Sequence, residues 1–160
     1  MSSPSLHDRG PVDPLTRVPV LLDGLPAETF EAAVTYLKDV LRECQLVLVG
    51  RLQGSDLDPT LSDLAEGLVP DLEEVGDAFD AAEISPGPDG TLRLSGSLMV
   101  SQAATLSHLQ MQLIQLRLLG RRGGLLLTWD PHVTQLLVWI WEEVSDQLHG
   151  RQARAYRAAT

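Results

Sequence analysis

The sequence predicts an all-α protein folded as a four-helix bundle, with a short two-stranded β element beside the helices. Apolar residues recur at three- and four-residue steps in four segments of about 20 residues, the spacing that forms one helical face. An Asp-Pro pair begins two of these segments, where Asp can accept bonds from free N–H groups and Pro needs no donor. Modest loops join the segments, which is typical of a helix bundle.

The first predicted helix follows Leu25-Pro26 and covers about 24 residues, or roughly 36 Å at the rise of an α-helix. Residues 18–22 are expected to extend briefly before it, and Gly50 and Gly54 to end it. Its apolar stripe consists of Phe30, Ala33, Val34, Leu37, Val40, Leu41, Cys44, Val47 and Leu48.

Cys44 is the only cysteine of the chain, so it cannot form an internal disulfide. Its place on the apolar stripe predicts a buried and unreactive thiol. A reactive or redox-sensing thiol is the alternative.

The second predicted helix begins at Asp58-Pro59 and is interrupted by Pro70. Because its apolar seam keeps the same phase on both sides of that proline, we expect one kinked helix; a break at Val69 is the alternative. The seam consists of Leu61, Ala65, Leu68, Leu72, Val75 and Phe79.

The third predicted helix covers roughly residues 97–119 and is apolar on more than one side. It is therefore either central in the bundle or exposes a patch to another chain. Residues 91–95 alternate as a short strand does, and we expect them to pair with residues 125–128. The fourth helix begins at Asp130-Pro131 and ends before Gly150, with inward positions Val133, Leu136, Leu137, Ile140, Val144 and Leu148.

The domain organisation follows from these elements. Residues 1–19 are predicted to be a flexible Pro-rich lead, residues 20–150 a single helical domain, and residues 151–160 a basic disordered tail. The lead lacks the layout of a secretory signal, and no apolar run approaches the roughly 20 residues of a membrane-spanning helix. The expected location is therefore the cytoplasm, without a membrane partner.

The charge of the chain restricts its partners. A net charge of −10 argues against binding to nucleic acid, which needs an excess of Lys and Arg on one face. Residues 54–90 contain eleven Asp or Glu and no Lys or Arg, so the second helix carries a negative field that could steer a basic partner. A solvated face that keeps the protein soluble is the alternative. Its candidate partner-binding residues are Asp71, Glu73, Glu74 and Asp77.

The sequence shows no catalytic, metal-binding or cofactor-binding pattern. His7, His108 and His132 lack a second ligand at three- or four-residue spacing, and His149 ends a helix, where a positive side chain favours the helix dipole. Nucleophile and phosphate-loop motifs are absent from the sequence. In the predicted loop at residues 120–124, Arg121 and Arg122 could bind an anion, although a simple exposed turn fits better. We therefore expect no enzyme activity and no cofactor. An enzyme using Glu73, Glu74 or Glu142 would need two acidic groups converging in a deep pocket.

Trp139 and Trp141 are further candidate partner-binding residues on the fourth helix. They lie about 200° apart around the helix axis, so both cannot face one core stripe. Large aromatic side chains are enriched at interfaces. The alternative places one in the core and the other half-buried at the surface.

Three stretches, residues 41–47 (LRECQLV), residues 123–131 (GGLLLTWDP), and Trp139 with Glu143 and Gln147, resemble a family of small helical proteins, mostly actinobacterial. These proteins accompany anti-sigma-factor-like ATPases and phosphatases in partner-switching stress signalling. The resemblance implies a regulatory role exercised through contacts with such an ATPase or phosphatase. The chain departs from the family pattern at Ile140 and Trp141, and in its apolar third helix.

The sequence therefore predicts a non-enzymatic regulatory protein that acts through protein–protein contacts. The alternative function is a small-ligand sensor with an apolar cavity among Leu106, Leu113, Leu137 and Ile140. A homodimer through the third or fourth helix is compatible with helices that are apolar beyond one stripe.

Overall fold

The structure, a computed structural model, describes residues 12–54, 56, 58–123, 125 and 127–158, with the side chains of residues 121–123 excepted. Four long helices and a three-stranded antiparallel sheet form this part of the chain. The strands are β1 (Arg17–Pro26), β2 (Glu83–Pro86) and β3 (Thr91–Met99), and a 3-10 turn (Pro88–Gly90) joins β2 to β3. The helices are α1 (Ala27–Leu52), α2 (Pro59–Ala81), α3 (Gln102–Gly123) and α4 (Pro131–Leu148).

The all-α prediction is wrong, because the chain has a mixed α/β fold. β3 is the central strand: it pairs with β1, where Leu22 lies opposite Leu94, and with β2, where Ile84 lies opposite Leu94. The predicted pairing of residues 91–95 with residues 125–128 is also wrong, since β1 and β2 already occupy both edges of β3. β1 begins within the predicted flexible lead, of which residues 1–11 lie outside the described part.

The four helices lie close to their predicted positions. Asp58 accepts a hydrogen bond from the Thr60 N–H at 2.9 Å, and Asp130 accepts one from the His132 N–H at 2.8 Å, so both Asp-Pro starts act as caps. α2 continues through Pro70 as one helix, as expected. α3 begins later and ends later than predicted: residues 97–99 belong to β3, and the first part of the predicted loop at residues 120–124 is helical through residue 123.

The helices contact one another in a ring, and the sheet packs mainly against α4 through β1. Each element places apolar side chains in the shared core, where full burial of one Leu or Ile contributes about 1.5–3 kcal/mol. Among the described helices, none has a stretch both long and apolar enough to cross a membrane. The most deeply buried apolar side chains include Leu22, Leu25, Val40, Leu68, Leu109, Leu116, Leu136 and Ile140.

The chain after α4 packs back onto the domain. The sequence predicts a disordered tail over residues 151–160, whereas residues 151–158 are described and make specific contacts. The Tyr156 N–H donates to the Asp23 carbonyl oxygen at 2.9 Å, and Ala155 forms a parallel bridge with Asp23. The ring of Tyr156 meets Trp139 edge to face, with 5.1 Å between ring centres.

Candidate functional site

The outward side of α3 carries a line of large apolar side chains. Met111, Ile114 and Leu118 are 64%, 55% and 64% exposed, and their spacing places them on one line along the helix. We call these three residues the α3 outer face. Single exposed apolar residues are common on protein surfaces, but a continuous apolar patch marks an interaction site. This face is therefore the strongest candidate for a contact with another protein.

A groove between α2 and α3 borders the α3 outer face on one side. It has a volume of about 540 Å³ and an apolar floor formed by Leu64, Leu118 and Leu119. On the other side, Ile114 borders a cleft that also contains Trp129. The Arg117 guanidinium lies 3.8 Å from the centre of the Trp129 ring, a cation–π contact that holds this ring beside the cleft.

The exposed acidic residues of α2 form a second surface. Steps of three, seven, four and three residues separate them, so they lie along one side of the helix. We call this side the acidic line; it begins at the groove, because Asp63 also lines the groove. Arg51 of α1 contacts its first two members, at 3.9 Å from Asp63 and 2.9 Å from Glu66. The acidic line consists of Asp63, Glu66, Glu73, Asp77 and Asp80.

The four acidic residues predicted to bind a partner lie in two different environments. Glu73 and Asp77 belong to the acidic line and are exposed. Asp71 and Glu74 turn toward α3 instead. The Asp71 carboxylate lies 3.0 Å from Nδ1 of His108, and Glu74 accepts a hydrogen bond from Nε2 of Gln102 at 2.8 Å. These two residues therefore join α2 to α3.

The two predicted tryptophans have different environments. Trp141 is buried, with its ring centre 6.5 Å from that of Phe79. Trp139 is half-buried and contacts Tyr156. This arrangement matches the alternative in which one ring packs in the core and the other lies partly at the surface. The side chains of Arg121 and Arg122, the predicted anion site, lie outside the described part of the structure.

A buried polar cluster joins α4 to the C-terminal segment. Glu143 is completely buried and accepts three hydrogen bonds: from the Arg154 N–H at 2.7 Å, from Arg154 Nε at 2.9 Å and from Gln147 Nε2 at 2.9 Å. Gln147 also pairs with both backbone groups of Leu21 in β1, accepting from its N–H at 2.9 Å and donating to its carbonyl at 2.7 Å. Because donors surround the carboxylate, its role is to hold these segments together.

This cluster is not among the sites that the sequence predicts. Glu143 and Gln147 belong to the stretches that carry the family resemblance, and Arg154 belongs to the predicted tail. A signal was nevertheless present, because positions 143 and 147 fall on the same helical stripe as Ile140, Val144 and Leu148. Polar residues on an apolar stripe indicate buried groups that need hydrogen-bond partners elsewhere in the chain.

A small cavity of about 60 Å³ lies between the sheet and the helices α2, α3 and α4. Leu106 and Ile140, two of the four residues of the predicted ligand cavity, line it. The other two, Leu113 and Leu137, border the cleft beside Trp129. The predicted set is therefore divided between two spaces. Glu74, Gln102 and Thr105 are the half-buried polar neighbours of the cavity between the sheet and the helices.

Burial and an ion pair shift the pKa values of Cys44 and Asp23, among other groups. Burial raises the pKa of the Cys44 thiol to about 11, so at neutral pH this thiol is protonated and a poor nucleophile. The expected burial of Cys44 is confirmed. In the sheet, Arg93 donates two hydrogen bonds of 3.2 Å to the carboxylate of Asp23, and this contact lowers the pKa of Asp23. No three His, Cys, Asp or Glu side chains of the described residues are grouped in a way that could hold a metal ion.

No match to this chain was found among protein-family models, curated proteins or solved structures. The geometry of the α3 outer face, the acidic line and the cavity is therefore the basis for a functional proposal.

Proposed function

We propose that this chain is a non-enzymatic regulatory protein that binds another protein through the α3 outer face. The observation that supports this function is the line formed by Met111, Ile114 and Leu118, three large apolar side chains that are each more than half exposed. Covering such a surface removes apolar area from water, which contributes about 25 cal/mol of binding free energy per Å². A partner that covers these side chains gains binding energy from apolar surface that the free chain leaves exposed.

The charge of the chain indicates which partner fits. The acidic line begins at the wall of the groove beside the α3 outer face, and the net charge is −10. A partner with apolar residues flanked by Lys or Arg would match both surfaces, since opposite charges speed encounter and favour the correct partner. A second copy of this chain would bring a second acidic line to the contact. The charge therefore favours a different, basic partner over a homodimer.

The family resemblance is compatible with such a partner. In this proposal the chain acts in the cytoplasm as a component of bacterial stress signalling, and its partner is an anti-sigma-type ATPase or a phosphatase. The chain contributes binding and no chemistry of its own.

The test compares three forms of the full chain as bait for proteins of the source cells. Ile114→Glu places a charge in the centre of the α3 outer face. Leu46→Glu is the matched control: it also replaces an exposed apolar residue, at 57% exposure, but on α1. Proteins retained by the wild type are then purified and titrated against all three forms by surface plasmon resonance at low and high salt.

We expect one partner to bind the wild type and Leu46→Glu equally and Ile114→Glu at least about tenfold more weakly, as a charge in an apolar contact costs more than 1.4 kcal/mol. Affinity should fall as salt rises, because screening weakens the attraction to the acidic line. Equal binding of all three forms would contradict the proposed surface. A wild-type chain that retains no protein and elutes as a monomer would contradict the proposed function.

A further inference from the structure

The cavity between the sheet and the helices α2, α3 and α4, which we call the sheet–helix cavity, has walls of apolar side chains. Leu22, Leu94, Leu106 and Trp141 are among these walls, and all four are buried. Its volume of about 60 Å³ exceeds the roughly 10–15 Å³ that one water molecule needs, but ordered water also needs several polar partners. The interior is therefore suited to a small aliphatic group.

Polar groups stand at one edge of the sheet–helix cavity. Glu74 and Gln102 line the cavity and are half-buried, so both side chains also reach solvent. Gln102 donates from Nε2 to Oε1 of Glu74 at 2.8 Å, and its own Oε1 accepts from the Met99 N–H at 2.8 Å. The Glu74 carboxylate is thus held in position from both α3 and the end of β3.

In the part of the chain that the structure describes, no ion pair neutralises the negative charge of Glu74, and the Arg17 guanidinium donates instead to Oγ of Ser97, a residue of the cavity lining, at 3.5 Å. Residues 54–90 contain no Lys or Arg, and among the ion pairs of the described residues none includes Glu74. His108, which lies at the contact between α2 and α3, is bound by Asp71. A half-buried carboxylate attracts a cation more strongly than an exposed one does, because less water screens it.

We propose that the sheet–helix cavity binds a small primary amine, with its short aliphatic group in the cavity and its ammonium group on Glu74. The apolar walls select the aliphatic end, and the unbalanced carboxylate selects the cation. A lysine side chain of a protein partner fits less well, because its ammonium group would enter the apolar interior first. This inference goes beyond the protein contact proposed above and uses a different surface of the molecule.

The test uses isobutylamine, with isobutanol and isobutyrate as a neutral and an anionic probe of the same carbon skeleton. Binding is followed by NMR through the methyl signals of Leu94 and Leu106, and by the fluorescence of Trp141, all of which line the cavity. For so few atoms we expect a dissociation constant on the order of millimolar. Isobutylamine should bind about tenfold more tightly than isobutanol, and isobutyrate more weakly than either.

Two variants and one control locate the binding. Glu74→Gln removes the charge, but its side-chain oxygen still accepts a hydrogen bond from Gln102. This variant should therefore bind isobutylamine about tenfold more weakly and isobutanol as tightly as the wild type does. Glu73→Gln removes the neighbouring exposed carboxylate and should change nothing. Ala78→Leu fills the cavity and should abolish binding of both probes. Three results would each overturn the proposal. The wild type could bind isobutylamine and isobutanol equally, Glu74→Gln could bind isobutylamine as tightly as the wild type does, or the Leu94 and Leu106 signals could stay unperturbed at saturating amine.

Discussion

Arg154 lies over Glu143 and donates to it twice, from Nε to Oε2 at 2.9 Å and from the backbone N–H to Oε1 at 2.7 Å. Glu143 has no exposed surface, and removing a carboxylate from water costs several kcal/mol unless hydrogen bonds and opposite charge compensate for it. Arg154 also donates to Asp146 at 2.9 Å. The folded position of the C-terminal segment and the burial of Glu143 therefore depend on each other.

Arg154→Ala is expected to lower the free energy of unfolding by about 2 kcal/mol, since a buried carboxylate loses one charged donor while the backbone donor remains. Urea denaturation followed by Trp fluorescence measures the change. Arg157→Ala, which removes an exposed arginine of the same segment, is the control and should change stability by less than about 0.5 kcal/mol. Equal midpoints for the two variants would show that Arg154 does not stabilise Glu143.

Gln147→Glu is expected to destabilise the protein by about 3 kcal/mol at pH 7. The change removes the donor to the Leu21 carbonyl and to Glu143, and it adds a second negative charge beside the first. The introduced group should have a raised pKa, so the loss of stability is present at neutral pH and shrinks as the pH falls toward 5, where protonation restores a donor. Gln135→Glu, on the exposed side of the same helix, should show neither effect in denaturation curves at pH 5 and pH 7.

Cys44 is expected to make stability depend on pH at the alkaline end. Burial raises the pKa of its thiol from 9.0 to about 11, so the folded state favours the protonated form more than the unfolded state does. This contribution is complete below pH 9.0 and is lost as the pH rises through about 11. The stability of Cys44→Ala should therefore fall less steeply than that of the wild type over this range. A thiol reagent at pH 8 should label the wild type only after unfolding; rapid labelling of the folded chain would refute the buried thiol.

Two glycines of α2 should respond differently to the same substitution. A Cβ on Gly76 meets nothing within 4 Å, so Gly76→Ala should stabilise the helix by about 1 kcal/mol. A Cβ on Gly67 would lie 2.6 Å from Nε2 of Gln112, a buried side chain of α3, and Gly67→Ala should gain much less or lose stability. The difference in stability between the two variants should disappear when both substitutions are made in a Gln112→Ala background. If thermal unfolding shows equal gains in stability for both variants without that background, Gln112 does not restrict a side chain at position 67.

The helices could be predicted because their signals are local. An apolar stripe repeats within one turn, and an aspartate cap acts two residues away, as Asp58 and Asp130 do. Local patterns indicated extended chain at residues 18–22 and 91–95, which lie in β1 and β3, but they could not indicate how the strands pair. β1 lies in a stretch with Pro19 and Pro26, and its partner β3 follows more than sixty residues later, so the pairing depends on the whole fold.

The candidate site could be predicted only in part. Excess apolar residues on the third helix indicated either a central position or an exposed patch. The structure shows both features, because α3 contacts α2 and α4 and also exposes the line Met111, Ile114 and Leu118. Acidic composition could not show that Asp71 and Glu74 face α3 while Glu73 and Asp77 face solvent. Likewise, nothing near Arg154 in the sequence indicates its buried partner eleven residues earlier.

The hydrogen bonds on the outer side of β1 occupy backbone groups that could otherwise pair with another molecule. β1 is an edge strand, and an edge strand with free N–H and C=O groups can accept a strand from another molecule. Here the amide of Gln147 occupies both backbone groups of Leu21, and the Tyr156 N–H occupies the carbonyl of Asp23. One side chain and one short segment thus take the place of a fourth strand. A variant cut after Gly150 would uncover part of this edge and become prone to fibrillar aggregation.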